Sequence, residues 1–481
     1  MCGIVGIFNR AGESASSTVL QAMTAKLAHR GPDGEGTYLD GPLGLGHRRL
    51  AILDLSEAGH QPMATPDGRF VITYNGEIYN FRELRKELEA LGRAFHSRCD
   101  TEVLLQAYAQ WGRECLNRLN GMFAFAVWDR KTRELFLARD RYGIKPLYYA
   151  QCSDTFLFTS EIKALTVHPA FRAEVDREGL LEYFTFQNFF TDRTLFQGVR
   201  LLPAGSWMAV SQTAAGAPVI YWDYSFEEPA QAGDEQAYRE ELDRLLQQAV
   251  SRQLVSDVEV GAYLSGGMDS GTVTALAARE IPNLHSFTCG FDLHSASGIE
   301  LGFDERDAAE LMSYRFGTEH YEMVLKAGDM ERAMPALAYH LEEPRVGQSY
   351  PNYYVARLAS KFVKVVLCGT GGDELFGGYP WRYYRAVVND DFEHYVDKYY
   401  AYWQRLIPNQ AIQQVFRPIW PDVDRVWTRD IFRDVFRRPE AELTRPEDYI
   451  NHSLYFEAKT FLHGLLVVED TLLNQQVIRA M

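Results

Sequence analysis

A cysteine directly behind the initiator methionine is the first residue of this chain whose position suggests chemistry. Because Cys2 is small, removal of Met1 is expected, and Cys2 would then carry both its thiol and the free α-amine of the chain. An α-amine with a pKa of about 8 can accept the proton of a thiol with a pKa of about 8.5, so the residue could be a nucleophile with its own base. The alternative is a small apolar residue at the start of an edge strand.

A loop rich in small residues, "YLSGGMDSGTVTALAA", joins a predicted buried strand to a predicted helix. Gly266 and Gly267 let the backbone approach an anion, and the amides at the helix start would point at that anion. The hydroxyls of Ser265 and Ser270 would help to hold it. Asp269 implies a Mg²⁺ ion that bridges the carboxylate and phosphate oxygens.

This loop lacks the lysine of a Walker phosphate loop. In its S-G-G-x-D-S form it resembles the pyrophosphate loop of enzymes that cleave ATP between the α and β phosphates; the alternative is an ordinary strand-to-helix turn. A second loop, "LCGTGGDELFGGY", repeats the design with Gly369, Gly371, Gly372 and Asp373. Because both loops follow strands of one predicted parallel sheet, we expect them to converge on one crevice.

The elements that must position these residues fall into two groups. Residues 1–210 combine short strands such as "GIVGIF" and "GMFAFAVWD" with helices such as "FRELRKELEALG", which predicts an α+β layering of stacked sheets covered by helices. Residues 211–236 are rich in Pro, Gly and Ala and are predicted to be a linker. Residues 237–481 alternate strand and helix, which predicts an α/β domain with a doubly wound parallel sheet.

The composition restricts the class of protein. The chain has 481 residues, of which 49 are basic and 65 acidic, and its net charge of -16 argues against nucleic acid or an anionic membrane as a partner. Six cysteines without CxxC spacing fit a reducing compartment, and no apolar run approaches the about 20 residues of a membrane span. We therefore expect a cytoplasmic enzyme that acts on small molecules, with a homodimer as the default assembly.

Taken together, the two halves resemble the glutamine-hydrolysing asparagine synthetases. The first half is similar to class II glutamine amidotransferases in "MCGIVGIF", "HRGPDG", "GHRRLAILD", "YNGEIYN", "CDTE", "GMFAFAVWD" and "RDRYGIKPLYY". The resemblance implies an N-terminal-nucleophile sandwich of αββα layers, followed by an ATP-pyrophosphatase domain. It also implies that ammonia from glutamine travels internally to an aspartate activated as an acyl-AMP, which yields asparagine, glutamate, AMP and pyrophosphate.

The resemblance assigns roles to residues of both halves. Cys2 attacks the glutamine amide, and Asn75 and Gly76 form the oxyanion hole, although N-G-E taken alone could be a hairpin turn. Arg49 grips the glutamine carboxylate, and Glu77 and Asp100 bind its amino group. The glutamine-binding residues are thus Arg49, Asn75, Gly76, Glu77 and Asp100. The ATP-binding residues are Leu264, Ser265, Gly266, Gly267, Asp269, Ser270, Cys289, Cys368 and Gly369. The residues implied to hold Mg²⁺ are Asp269 and Asp373.

Two features depart from this resemblance. The third position of the second loop is acidic in many relatives, whereas here it is Thr370. After "LLVVED" the relatives continue with a further segment, whereas residues 471–481 read "TLLNQQVIRAM". We expect a chain of these residues to hydrolyse glutamine but to form amide poorly, and the natural product to be longer. The alternatives are a ligase of the same family with another carboxylate substrate, and a glutaminase or regulatory protein without synthetase activity.

Overall fold

The first half is built of short strands, of which Gly3–Asn9, Phe70–Ile78, Gly121–Asp129 and Glu134–Arg139 are buried on both faces. The computed structural model describes residues 2–226, 233–292, 294–295, 302, 304–345, 349–383, 389, 391–436, 443, 445–475 and 479–480. The strands of the first half are β1 (Gly3–Asn9), β2 (Gly34–Asp40), β3 (Leu43–Arg49), β4 (Met63–Ala64), β5 (Phe70–Ile78), β6 (Gly121–Asp129), β7 (Glu134–Arg139), β8 (Tyr148–Cys152), β9 (Thr155–Thr159), β10 (Val199–Leu201), β11 (Ser206–Val210) and β12 (Val219–Ile220). Its helices are α1 (Ser17–Ala25), α2 (Phe81–Ala90), α3 (Asp100–Trp111) and α4 (Arg177–Phe186).

These strands form two antiparallel sheets that stack face to face. The first sheet has the order β10-β8-β9-β1-β3-β2, and the second has the order β12-β11-β7-β6-β5-β4. Helix α1 packs on the outer face of the first sheet, and α2 and α3 pack on the outer face of the second. The layers therefore follow the αββα order that the resemblance implies.

Burial on both faces explains why strands such as β1 have continuous apolar sequences. In β1, Ile4 and Phe8 point into the space between the sheets, whereas Val5 and Ile7 point toward α1. Gly6 lies on the same face as Ile4 and Phe8, and a Cβ there would overlap the ring of Phe158. The close approach of the two strands at this point therefore requires glycine.

The second half is built on a five-stranded parallel sheet. Its strands are β13 (Val260–Tyr263), β14 (His285–Phe291), β15 (Glu319–Leu325), β16 (Val365–Leu367) and β17 (Arg479–Ala480), and their order is β15-β14-β13-β16-β17. Its helices are α5 (Glu235–Gln253), α6 (Met268–Glu280), α7 (Arg306–Phe316), α8 (Asp329–Leu341), α9 (Ser349–Ala359), α10 (Gly372–Phe376), α11 (Pro380–Tyr383), α12 (Phe392–Trp403), α13 (Asn409–Val415), α14 (Trp420–Val423), α15 (Thr428–Asp434), α16 (Pro446–Glu457) and α17 (His463–Gln475). A π-helical turn, Ala458–Leu462, joins the last two.

Helices cover both faces of the parallel sheet, as the alternating pattern predicts. Val365 and Leu367 of β16 pack with residues of α5 and α6, whereas Val366 packs with residues of α9 and α17. The later helices form an aromatic layer, in which Phe186 and Phe190 from the first half are buried against α12, α15 and α16. The doubly wound prediction is confirmed, and the helical layer adds a broad contact between the halves.

Other predictions about the organisation of the chain have different outcomes. The boundaries at 210 and 236 stay a prediction, and residues 227–232 of the predicted linker lie outside the described residues. Within that linker, β12 pairs with β11 and so continues the second sheet. Of the helices in the described ranges, none is both long enough and apolar enough to cross a membrane.

The contact at Gly6 can be tested by substitution. We expect Gly6→Ala to lower the free energy of unfolding by about 1–3 kcal/mol, because the new methyl group must displace the ring of Phe158. Gly34→Ala is the matched control, since its Cβ would meet the Cβ of Arg49 at an ordinary 3.7 Å. Denaturant unfolding of both variants measures the difference, and equal stability would contradict the packing argument.

Candidate active site

A pocket at one end of the stacked sheets brings together residues from four separate stretches of the first half. Cys2 precedes β1, Arg49 ends β3, Gly76 and Glu77 lie in β5, and Asp100 begins α3; all five line this pocket. These positions are far apart in the sequence and meet because β1, β3 and β5 end at the same edge of the sandwich. We call this cavity the nucleophile pocket.

Asn75 lies beside the nucleophile pocket but is completely buried. It belongs to the continuous strand β5, where it pairs with Ala124 of β6, so the hairpin-turn alternative for N-G-E is wrong. Within the part of the chain that the structure describes, neither the nitrogen nor the oxygen of its side-chain amide has a hydrogen-bond partner. A buried amide without partners is costly, and a ligand oxygen in the pocket would accept its unused hydrogen bond.

Cys2 is held mainly through its backbone. Its Sγ lies 3.8 Å from the carbonyl oxygen of Leu50, a weak contact that leaves the thiol facing the pocket. Its carbonyl oxygen accepts a 3.0 Å hydrogen bond from Nε of Arg30. The next residue, Gly3, passes so close to the turn that follows α1 that a Cβ would lie 2.8 Å from Leu27. The position of the thiol is therefore set by the packing of its neighbours.

The guanidinium of Arg49 is fastened to the loop that follows β3. It donates to the carbonyl oxygens of Ser56 at 2.8 Å and Leu53 at 3.3 Å, and also to that of Asp54. A Cβ at Gly59 would overlap this guanidinium. Three carbonyl oxygens leave part of the five-donor guanidinium for a ligand carboxylate. The loop thus orients the charge that the sequence predicts at this site.

Asp100 presents a buried carboxylate to the nucleophile pocket. The hydroxyl of Tyr74 donates to it at 2.7 Å, and the amide of Ile78 donates at 2.9 Å. Burial raises the pKa of Asp100 in spite of these hydrogen bonds. A ligand ammonium group beside it would favour the charged form, so the carboxylate is suited to bind an amino group.

Sequence reasoning gave no role to Arg30, which lies directly behind the nucleophile pocket. Its Nη1 donates to Glu161 at 2.9 Å and its Nη2 donates to Asp470 of α17 at 2.9 Å. Lys145 donates to the second oxygen of Asp470 at 2.8 Å. Burial lowers the pKa of Arg30, but the charges of Asp470 and Glu161 outweigh burial and raise it overall. The motifs "HRGPDG" and "RDRYGIKPLYY" contain Arg30 and Lys145. The sequence thus singled out both residues, but it did not indicate that they pair with Asp470.

The second site is a crevice at the carboxyl ends of β13 and β16, which we call the nucleotide crevice. The loops after these strands touch each other: a Cβ at Gly369 would meet the amide nitrogen of Ser270 at 2.5 Å, and one at Gly372 would overlap the carboxylate of Asp269. The two loops therefore converge, as the sequence predicts. The predicted residues that line this crevice are Leu264, Ser265, Gly267, Asp269, Ser270, Cys289, Cys368, Gly369 and Asp373.

Two of the predicted ATP-binding residues, Leu264 and Gly266, already use backbone groups in hydrogen bonds within the protein. Gly266 is not among the lining residues; its amide donates to Glu305 at 3.3 Å, and a Cβ there would lie 2.8 Å from Ala308 of α7. The amide of Leu264 donates to Phe287 at 3.0 Å, and its carbonyl oxygen accepts from Thr288. Backbone contacts from these two residues to a nucleotide would therefore require an exchange of partners.

Asp269 and Asp373 lie side by side in the nucleotide crevice. Burial, followed by the negative charge of Asp373, raises the pKa of Asp269. Two adjacent carboxylates of this kind fit Mg²⁺, because a divalent cation with phosphate oxygens would relieve their repulsion. In the described ranges, no group of three or more His, Cys, Asp or Glu side chains could hold a metal ion. The pair would thus need oxygens from a ligand.

The two cysteines of the crevice are partly buried, and their thiols are poor nucleophiles. Burial raises the pKa of Cys289 to about 12, and burial together with the charge of Glu469 raises that of Cys368 to about 12. Both thiols stay protonated at neutral pH, so they act as small apolar walls.

A third cavity lies between the two halves, and we call it the interhalf cavity. It is bordered by Met122 of β6, by Ile144, by α5 and by α17. In the second sheet Met122 pairs directly with Glu77 of the nucleophile pocket. At its other end the cavity includes Cys368, Thr370 and Glu469, which also line the nucleotide crevice. The interhalf cavity therefore shares a wall with the nucleotide crevice, and it borders the residue of β6 that pairs with Glu77 of the nucleophile pocket.

Comparison with known proteins finds a match in each half of the chain. Residues 1–222 match a family model described as a glutamine amidotransferase domain, and residues 241–478 match one described as asparagine synthase. Glutamine-hydrolyzing asparagine synthetase 1 of Bacillus subtilis (strain 168) is 37% identical over 383 residues, which are 79% of this chain. The chain spans 59% of the length of that relative and 65% of the length of B. subtilis synthetase 3.

A further relative is covered more fully. The putative glutamine-hydrolyzing asparagine synthetase 2 of Methanocaldococcus jannaschii is 35% identical over 403 residues, which cover 79% of this chain and 76% of the relative. Among solved structures, glutamine phosphoribosylpyrophosphate amidotransferase of B. subtilis aligns with 16% identity and a TM-score of 0.35, over 67% of this chain and 65% of that one.

The role of Asp100 in the nucleophile pocket can be tested directly. We expect Asp100→Asn to raise the KM for glutamine about 10- to 100-fold, because a charge-assisted contact to the amino group contributes about 1.5–3 kcal/mol. Asp154→Asn, at an exposed position of the same half, is the control and should leave KM unchanged. Steady-state glutaminase kinetics measure both, and an unchanged KM for Asp100→Asn would exclude Asp100 from glutamine binding.

Proposed function

The chain belongs to the glutamine-hydrolysing asparagine synthetase family, and we propose that it transfers the amide nitrogen of glutamine to a carboxylate that ATP has activated. The observation that carries this proposal is the presence of three cavities in one chain, in which the interhalf cavity lies beside the strand pair of the nucleophile pocket and shares residues with the nucleotide crevice. Such an arrangement supports the passage of a small molecule between two reactions.

The first reaction takes place in the nucleophile pocket. The thiol of Cys2 attacks the side-chain amide carbon of glutamine, and its proton passes to the α-amine of Cys2 once Met1, which lies outside the described residues, has been removed. The developing oxyanion accepts hydrogen bonds from the amide of Asn75 and from the backbone N–H of Gly76. The unused donor of Asn75 supports this role. Ammonia leaves, and water then hydrolyses the thioester to glutamate.

Charged groups on two sides of the pocket orient the glutamine. Arg49 binds the α-carboxylate with the donors that its loop leaves available, and Glu77 and Asp100 bind the α-ammonium group. The rigid fastening of Arg49 to three carbonyl oxygens supports this assignment, because a fixed guanidinium loses little freedom when the ligand binds.

The second reaction takes place in the nucleotide crevice. The start of α6 and the hydroxyls of Ser265 and Ser270 bind the phosphates of ATP, and Cys289, Cys368 and Gly369 form walls around the nucleotide. Asp269 and Asp373 would hold Mg²⁺, which neutralises charge on the departing pyrophosphate. The acceptor carboxylate attacks the α-phosphate, and the products of this step are an acyl-AMP and pyrophosphate.

The acceptor that we propose is the β-carboxylate of aspartate, so that the products are asparagine, glutamate, AMP and pyrophosphate. Thr370, which borders the crevice, is the reason to assay other carboxylates as well. Faster AMP release with another carboxylate would identify an amide ligase of the same family with a different substrate. Glutamine hydrolysis without AMP release under any condition would identify a glutaminase or a regulatory protein.

Two broader proposals concern the setting of the enzyme. We propose that it acts in the cytoplasm, which is supported by six cysteines that are all free of disulfides. A homodimer is proposed as the default assembly of such an enzyme.

Separation of the two reactions predicts different responses to the nitrogen source. We expect Cys2→Ala to reduce glutamine-dependent amide formation by about 10⁴-fold or more, because the nucleophile is lost. Amide formation from ammonium salts should persist, since the nucleotide crevice is untouched. Cys152→Ala, at another free cysteine of the same half, is the matched control. Equal loss with glutamine and with ammonium would contradict separate sites.

The products of ATP cleavage test the second reaction. Wild-type protein is expected to form AMP and pyrophosphate, and Asp269→Asn should reduce their formation about 100-fold or more because the cation site loses half of its charge. Glutaminase activity should be unchanged, which shows that the variant is folded. Asp307→Asn, at an exposed position on α7, is the control. Formation of ADP and phosphate by the wild-type protein would refute this reaction.

A further inference from the structure

The interhalf cavity and the nucleotide crevice meet at a single carboxylate. Glu469 lies on α17 and lines both cavities, together with Cys368 and Thr370. Its Oε1 accepts a 2.9 Å hydrogen bond from the hydroxyl of Thr370. Its Oε2 lies 3.7 Å from the thiol of Cys368. Glu469 therefore contributes to the wall that the two cavities share.

The charge environment of Glu469 differs from that of the next residue in the chain. Asp470 is paired with Lys145 and Arg30, at 2.8 and 2.9 Å, and these cations lower its pKa in spite of burial. For Glu469, the described ranges contain no ion-pair partner. Burial raises its pKa, the hydrogen bonds from Thr370 and Cys368 and the charge of Lys145 act in the opposite direction, and Glu374 adds to the increase. Glu469 is thus a carboxylate that can take up a proton, whereas Asp470 is held charged.

A second polar group points into the same region. The hydroxyl of Tyr263 is buried at the end of β13, lines the nucleotide crevice and has no hydrogen-bond partner among the described residues. It lies close enough to Glu469 and Cys368 for their charges, after burial, to raise its pKa. A buried hydroxyl without a partner supports the presence of a polar ligand group at this junction.

We propose that Glu469 is the general base for nitrogen transfer, a role that rests on the proposed function. Ammonia enters from the interhalf cavity and attacks the acyl carbon of the acyl-AMP in the nucleotide crevice. A C–N bond forms, the C–O bond to the phosphate breaks, and its electron pair leaves on AMP. The proton that the nitrogen loses passes to Oε2 of Glu469 and from there to water.

This assignment also gives a meaning to Thr370. The resemblance places an acidic residue at that position of the loop in many relatives, whereas here a carboxylate from α17 lies within hydrogen-bond distance of it. The helix therefore supplies the carboxylate that the loop lacks. The presence of Thr370 in place of an acidic residue therefore does not require a different mechanism of nitrogen transfer.

The test compares three activities of Glu469→Gln, which keeps the size of the side chain and a hydrogen bond to Thr370. Amide formation from ammonium and aspartate should fall about 10²- to 10⁴-fold, the usual range for loss of a general base. Glutaminase activity and aspartate-dependent exchange of pyrophosphate into ATP should stay within about threefold of wild type, because neither needs this proton transfer. Product formation from hydroxylamine, which is a weaker base and a stronger nucleophile than ammonia, should fall much less in this variant.

A relocated carboxylate provides the rescue. In the double variant Glu469→Gln/Thr370→Glu, a carboxylate returns to the same junction from the loop, and amide formation should recover at least about tenfold over the single variant. A residue with only a structural role would not be rescued in this way. Glu331→Gln, at an exposed position on α8, is the matched control and should behave as wild type.

Two results would overturn the assignment of Glu469. The first is amide formation by Glu469→Gln at the wild-type rate. The second is loss of pyrophosphate exchange in parallel with amide formation, which would make Glu469 part of the nucleotide site. The proposed function fails separately, and is identified by wild-type protein that shows no pyrophosphate exchange with any carboxylate.

Discussion

The buried guanidinium of Arg30 forms the hydrogen bonds and ion pairs on which the arrangement of both sites depends. It binds the carbonyl oxygen of Cys2 on one side and the carboxylates of Glu161 and Asp470 on the other, with no exposed surface. Removal of one partner from such a buried ionic group typically costs about 3–5 kcal/mol, because a charge is left without compensation. The position of the nucleophile and the docking of α17 therefore depend on each other.

Helix α17 transmits this constraint to the second site. Successive residues of a helix point in directions about 100° apart, so Asp470 can reach the first half while Glu469 reaches the nucleotide crevice. The carboxylate at the junction of the cavities is thus positioned by the same ion pairs that lie behind Cys2. Two adjacent residues of one helix therefore link the surroundings of Cys2 to the nucleotide crevice.

Four carboxylates differ in the direction of their pKa shifts because their surroundings differ. Asp470 is paired with two cations and is held charged, whereas burial raises the pKa values of Asp100, Asp269 and Glu469. Asp100 lines the nucleophile pocket, and Asp269 and Glu469 line the nucleotide crevice. A carboxylate with a raised pKa is stabilised by a positive ligand group or by a proton. A ligand ammonium would stabilise Asp100, a metal cation would stabilise Asp269, and a transferred proton would stabilise Glu469. Asp470 therefore differs from the other three carboxylates in its charged partners.

Several features follow from the sequence alone. The pattern predicts strand β6 over "GMFAFAVWD", and the structure has it over those same residues. The two glycine-rich loops converge as predicted, because each follows a strand of the same parallel sheet. These predictions depend on local patterns, in which burial and turn residues are set by neighbours in the chain. The sequence also predicted that Cys2, Arg49 and Asp100 belong to one site, although that prediction came from resemblance and not from spacing.

Only the tertiary structure decided the contacts between the halves. Arg30 and Asp470 are 440 positions apart, and no local pattern indicates that they pair. Glu469 and Asp470 are adjacent acids in the sequence, yet Asp470 pairs with Arg30 and Lys145, whereas Glu469 lies between the interhalf cavity and the nucleotide crevice. The direction in which each side chain points depends on how α17 docks, and docking depends on packing across the whole chain. Residue types and motifs therefore determined the candidate chemistry, whereas long-range packing determined which carboxylate is free to perform it.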